Sequence, residues 1–168
     1  VDVQAFKTYM EFVDVESPSY VVIAPSHFIF KQDFSEMLQY HIKSRNDITV
    51  LYQNVTNLND HALGADLLTI DENGRIVAFG KNRGKYKKGS LSLEAYCMDA
   101  LTFRHLVEEA SETSSLYSLS DIIADVVRAL RVGSFQHHGY CACISTLKEY
   151  HEANMDLRQE KQLTKLIE

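Results

Sequence analysis

Cysteine is scarce in this 168-residue chain: only Cys97, Cys141 and Cys143 are present. An odd count without a spaced framework argues against a disulfide scaffold and fits a reducing, cytoplasmic setting better than secretion. No apolar run approaches the roughly 20 residues that span a bilayer. The opening residues carry no leader pattern, so no membrane partner is expected. Basic residues are in deficit, 17 Lys and Arg against 23 Asp and Glu, for a net charge of −6. No predicted face gathers them, which argues against a nucleic-acid partner. The histidines are scattered rather than set at metal-ligand spacing. Internal repeats and low-complexity segments are absent. What is present is ordinary for a globular protein, 45% hydrophobic and 24% charged, and long enough for one domain with a real core.

The pattern along the chain predicts an α/β protein. Phe6, Tyr9, Met10 and Val13 mark one face of a helix. Val21, Val22 and Ile23 form a β-branched run without polar alternation, the pattern of a strand buried on both faces. It stops at Ala24-Pro25-Ser26-His27, just past a strand end, where chemistry sits in open α/β sheets. Asp33 to Glu36 forms a capping box ahead of a helix with the stripe Phe34, Met37, Leu38 and Ile42. Residues 47–55 follow as a strand and complete a βαβ unit. Leu67–Ile70 and Arg75–Phe79 flank Asp71-Glu72-Asn73-Gly74, a hairpin turn. Residues 80–89 form a loop with five basic side chains, and Leu91–Met98 a further strand. A helix face of Phe103, Leu106, Val107 and Ala110 follows. Ser118 to Asp121 caps the next helix, which carries Ile122, Ile123, Val126, Val127 and Leu130. Gly133–Ile144 reads as one long strand, with His137-His138 on its surface and the thiols of Cys141 and Cys143 on one side. Thr146 to Glu149 caps a last helix lined by Leu147, Tyr150 and Leu157.

In this order, several motifs resemble the glucose-1-phosphate adenylyltransferases. They are Ser26-His27-Phe28-Ile29-Phe30, then Asp33-Phe34-Ser35-Glu36-Met37-Leu38-Gln39-Tyr40-His41, then Asp71-Glu72-Asn73-Gly74-Arg75-Ile76, then Asp121-Ile122-Ile123. The last is Ser145-Thr146-Leu147-Lys148-Glu149-Tyr150, running on to Ala153-Asn154-Met155-Asp156-Leu157. The details are most similar to the GlgD-type, non-catalytic subunit of this family. The resemblance implies a Rossmann-like nucleotidyltransferase fold, a mixed and mainly parallel sheet flanked by helices, incomplete on its N-terminal side. Residues 1–158 would be the latter part of that domain. Residues 159–168 would be a linker toward a left-handed β-helix domain that, like the Gly-rich phosphate loop, is outside this chain. The implied reaction joins ATP and glucose 1-phosphate into ADP-glucose and pyrophosphate, in glycogen biosynthesis. The implied partner is a catalytic adenylyltransferase subunit in a hetero-oligomer, with a sugar phosphate as a possible ligand.

The same resemblance assigns roles position by position. Active members use Mg²⁺ held by two Asp residues; here Ser26 and Cys143 stand at those places, so no intact catalytic residue and no metal site is expected. Neither a neutral hydroxyl nor a soft thiol replaces a carboxylate on a hard cation. Lys81 corresponds to a sugar-phosphate lysine, although the Glu that normally precedes it is Gly80. That loss favours the plainer reading of Lys81 to Lys88 as a solvated basic loop. Ser92 corresponds to a serine near the glucose phosphate, but Glu94 replaces a family glycine beside it and would repel an anion. Gly64 matches a glycine that approaches the nucleotide sugar, and reads equally as a turn glycine. Tyr117 stands where the family often has an Asp. His27 is expected to be a structural, hydrogen-bonded histidine. Two alternatives stay open: an active enzyme with relocated carboxylates, from Asp14, Asp47 or Asp66, and a sugar-phosphate sensor using Lys81 and Ser92.

Overall fold

The structure, a computed structural model, describes residues 6, 19–113 and 118–159. Most of the first predicted helix, Tyr117 and the residues from 160 onward lie outside the described residues. Among the described residues, eight strands and four helices follow in order: β1 Tyr20–Ile23, β2 Phe28–Phe30, α1 Phe34–Ser44, β3 Ile48–Val55, β4 Asp66–Ile70, β5 Ile76–Lys81, β6 Gly89–Asp99, α2 Ala100–Thr113, α3 Leu119–Val126, β7 Val132–Gln136, β8 Cys141–Cys143 and α4 Leu147–Leu157.

The main sheet runs β5-β4-β6-β3-β7, with β1 on the edge of β6 that β4 leaves free. It is mixed, as expected, but among the described strands only β3 and β7 pair in parallel. The reason is β6. Both β1 and β3 pair with it antiparallel, on opposite edges, over the same residues Tyr96–Met98. So β1 and β3 run the same way and α1 joins them as predicted, but β6 lies between them. The βαβ unit is split.

Side-chain alternation along β6 sorts the core into two layers. Tyr96 and Met98 face α2 and α3, where Phe103, Leu106, Val107, Ala110, Leu119, Ile122 and Ile123 close one cluster. Leu91, Leu93, Ala95 and Cys97 face the other way, onto Met37 of α1 and the β2–β8 ribbon. Each helix is started by its sequence. The Asp33 side chain caps α1 by accepting the Ser35 N–H rather than through the capping box expected with Glu36, while Ser118/Asp121 and Thr146/Glu149 form reciprocal capping boxes. The 71–74 turn closes as expected. The Asp71 carboxylate accepts the N–H groups of Asn73 and Arg75, and Gly74 supplies the positive φ of 78°.

Four expectations are corrected. First, β1 is not buried on both faces: Tyr20 and Val22 are 41% and 40% exposed. Only Val21 and Ile23 reach the α2–α3 cluster, and α1 meets the other face through the edge of His41 on the Tyr20 ring. Second, the α1 stripe uses buried His41, not Ile42, which is 49% exposed. Position 41 continues the 34-37-38 spacing, and the His41 ring shares a hydrogen bond with Thr49 at 2.8 Å. Third, residues 133–144 are two strands in two sheets. His137 breaks them: it is buried, bonded through its ring to Gln32 and to the Tyr140 carbonyl, and is no surface strand residue. Fourth, α4 buries Glu149 and Ala153 and leaves Leu147 and Tyr150 exposed.

Candidate functional site

The end of β1 delivers Ser26 and His27 to a turn before β2. Ser26 is exposed and His27 partly so. The β2–β8 register sets Phe28 opposite Cys143, and the Ile144 N–H donates to the His27 carbonyl at 2.9 Å. Ser26 and Cys143, far apart in sequence, therefore lie toward the same end of this ribbon. His27 turns its Nε2 toward Glu94, 3.6 Å from Oε2. Cys143 packs its Sγ 3.4 Å from the Ser145 hydroxyl. Burial, with the charges of Glu149 and Glu94, raises its pKa above the ordinary thiol value. The side chains at these two positions are thus a hydroxyl and a protonated thiol, which do not fit a hard divalent cation. Among the described residues no group of three or more His, Cys, Asp or Glu side chains converges as a metal site.

Glu94 sits where β6 bulges. The β3–β6 register passes from Val50/Tyr96 to Tyr52/Ser92, so Leu51 spans three residues of β6. Glu94 takes up the distortion at φ 52°, in the left-handed region that a glycine occupies without penalty. Ser92 holds the bulge: fully buried, its hydroxyl accepts the Glu94 N–H at 3.2 Å.

On the α3 side, β4, β5 and α3 bring together a charge cluster. Asp66 and Lys81 are direct partners in the β4–β5 register. The Lys81 ammonium lies 2.7 Å from Asp66 Oδ1 and 3.9 Å from Asp121 Oδ1. Asp66 is 3% exposed, and its second oxygen accepts from the Ser120 hydroxyl. Burial opposes the Lys81 charge, but the hydrogen bond to Asp66 and the charges of Asp66, Asp121 and Glu94 outweigh it and raise its pKa. Asp121 is opposed by burial too, yet the Ser118 hydrogen bonds and Lys81 hold its pKa below the usual value. The Tyr96 hydroxyl is buried beside Ser92 and Ser120, and burial together with the Glu94 charge pushes its pKa far upward.

The sequence-predicted positions thus fall into two neighbouring groups, linked by Glu94. Ser26, His27 and Cys143 form one; Lys81 and Ser92 belong to the other. Gly64 stands apart on an exposed turn at φ 85°, its N–H donating to the Asn82 carbonyl, with open space around it. Of the alternative carboxylates, Asp47 accepts the Arg131 N–H at 2.7 Å, Asp66 is taken by Lys81, and Asp14 lies outside the described residues.

Sequence reasoning missed two organisers of the 57–64 loop. The Asn82 amide, buried, donates to the carbonyls of Leu58, His61 and Ala62, and Glu149 accepts the Ala62 N–H at 2.7 Å. Asn82 has no motif around it. Glu149 had a signal, its place in a capping box, but not for the second contact. The partners of Lys81 were also missed; an acid opening an apolar strand, as Asp66 does, was the available hint.

The nucleotidyl transferase family profile matches residues 2–160. Among curated proteins, glucose-1-phosphate adenylyltransferase of Thermosipho melanesiensis is 31% identical over 151 residues, covering 88% of this chain and 36% of that protein. Proteins of the same name from Ruminiclostridium cellulolyticum and Desulfitobacterium hafniense are 28% and 25% identical, over 88% and 95% of this chain and 35% and 40% of theirs. The chain thus spans between a third and two fifths of these relatives. Among solved structures, a putative glucose-1-phosphate thymidylyltransferase from Bacillus anthracis, in complex with sucrose, superposes with a TM-score of 0.73 at 16% identity. That match covers 94% of this chain and 61% of the other.

Proposed function

This chain belongs to the nucleotidyl transferase family, and from that premise we propose that it is part of a regulatory, GlgD-type subunit of a glucose-1-phosphate adenylyltransferase. The complex would convert ATP and glucose 1-phosphate into ADP-glucose and pyrophosphate for glycogen synthesis in the cytoplasm, with a separate catalytic subunit performing the chemistry.

One observation carries the reading: Ser26, two residues before Phe28, and Cys143, which the β2–β8 register sets opposite Phe28, lie toward the same end of that ribbon. Phosphoryl transfer depends on charge stabilisation, and neither residue supplies a carboxylate for a metal. His27 does not replace it. It faces Glu94, a pair that ties the turn to the β6 bulge. A domain of this kind keeps its fold and acts through an interface, biasing its partner between states by a coupling of about 1–3 kcal/mol.

The test uses the full-length chain with and without its catalytic partner, following pyrophosphate release. The expected result is negligible turnover by the chain alone and a changed rate or substrate affinity in the complex. Robust ADP-glucose synthesis by the lone chain would sink the proposal. The Ser26→Asp/Cys143→Asp double variant of the lone chain probes the same point, since any activity it gains would trace the loss to these two positions.

A further inference from the structure

We infer that Asp66 is a built-in counter-anion that occupies Lys81 and makes this charge cluster refuse phosphorylated ligands. The inference rests on the family reading above, with Lys81 at the position the resemblance assigns to a sugar-phosphate lysine, and it decides what that position now does.

The pairing is set by the fold rather than by chance approach. The 71–74 turn and a one-residue bulge at Val77 together set the β4–β5 register, which places Asp66 directly across from Lys81. Cross-strand neighbours share a face, so the two side chains meet whenever the hairpin forms. Asp66 Oδ1 then accepts from the ammonium at 2.7 Å and Oδ2 from Ser120. Both carboxylate oxygens are thus engaged in a residue that is 3% exposed.

For Lys81 to reach a phosphoryl group, it must leave Asp66. The lysine would lose little, since its side chain is 48% exposed and water can reach it. Asp66 would lose its counter-charge where water cannot replace it, and an unpaired buried carboxylate is strongly disfavoured. An anion that tried to share the ammonium would also meet Asp121, 3.9 Å from the same nitrogen, and Glu94 beyond it. One cation thus faces three carboxylates before any ligand arrives. Asp66 is therefore the residue that sets what Lys81 can accept, and Lys81 serves as a pin between β4, β5 and α3.

The experiment measures binding of inorganic phosphate and of glucose 1-phosphate to the full-length chain by titration calorimetry at low salt. In the wild type, neither ligand should bind in a way that Lys81→Ala weakens. Asp66→Asn keeps the shape and the Ser120 partner but releases the ammonium, so phosphate affinity should rise at least ten-fold. Asp66→Asn/Lys81→Ala should lose the gain. Binding by the wild type that Lys81→Ala abolishes, or a folded Asp66→Asn variant with no gain, overturns the inference. Should Asp66→Asn not fold, amine acetylation of the wild type read by mass spectrometry decides. Lys81 labelling slower than Lys85, Lys87 and Lys88, with no further protection by phosphate, supports the pairing; phosphate protection at Lys81 overturns it. A complex whose activity ignores this chain would remove the regulatory reading and leave the Asp66→Asn result standing.

Discussion

Replacing Glu149 by Ala tests whether one carboxylate joins α4 to the 57–64 loop. Glu149 accepts the Ala62 N–H at 2.7 Å through one oxygen. Through the other it accepts the Ser145 hydroxyl at 2.8 Å and the Thr146 N–H and hydroxyl, each at 3.0 Å. Truncation removes half of a capping box, worth about 1 kcal/mol. It also strands the Ala62 N–H in a buried setting, for about 1–3 kcal/mol more. The expected loss is therefore about 2–4 kcal/mol. With a urea m-value of about 2 kcal/mol/M, the unfolding midpoint should fall by about 1–2 M at unchanged slope. Acid provides the internal check. Burial raises the Glu149 pKa, but the hydrogen bonds from Ala62, Ser145 and Thr146 outweigh it and hold it below its ordinary 4.5. A carboxylate depressed in the folded state stabilises above its unfolded pKa and loses that contribution as pH falls through the folded value. The gap between wild type and Glu149→Ala should thus be full at pH 7 and narrow below about pH 4.5. Midpoints that differ by less than about 0.2 M at pH 7, or a gap that does not narrow in acid, would refute the reasoning.

Glu94→Gly should raise the melting temperature by about 1–2 °C, because relief of about 1 kcal/mol of backbone strain exceeds the added chain entropy. A clear fall in a thermal scan would mean that the His27 contact outweighs the strain. Asn82→Ala strands three loop carbonyls and should cost about 2–3 kcal/mol, with amide exchange accelerating first in residues 57–64. His41 and His137 have pKa values lowered mainly by burial, against 6.5 in an unfolded chain. Their contribution is complete above pH 6.5 and declines as the pH drops below it, so the urea midpoint should fall between pH 7.5 and 5.5. Burial pushes the Cys97 thiol up to about 11 and, with the charge of Cys143, the Cys141 thiol up to about 12. Alkylation of both at pH 8 should be far slower than for a free thiol and should recover on unfolding.

What could be read in the chain itself was whatever depends on neighbours in sequence. Helix starts are local, so the caps at Asp33, Ser118 and Thr146 were legible. The 71–74 turn and the apolar face of α2 were legible for the same reason, as were the motifs that point to the family. The tertiary structure decided what depends on pairing across the chain. Antiparallel β6 between β1 and β3 reverses most of the sheet's pairings, and no local pattern encodes which strand lies between two others. His137 and His41 look like surface residues until their partners arrive from Gln32 and Thr49. Lys81 is the clearest case. In the sequence it is the first of five basic residues in a loop, whereas in the fold the hairpin register sets it against a buried acid. A charge is local, but what that charge can bind depends on which opposite charges the fold has already placed beside it.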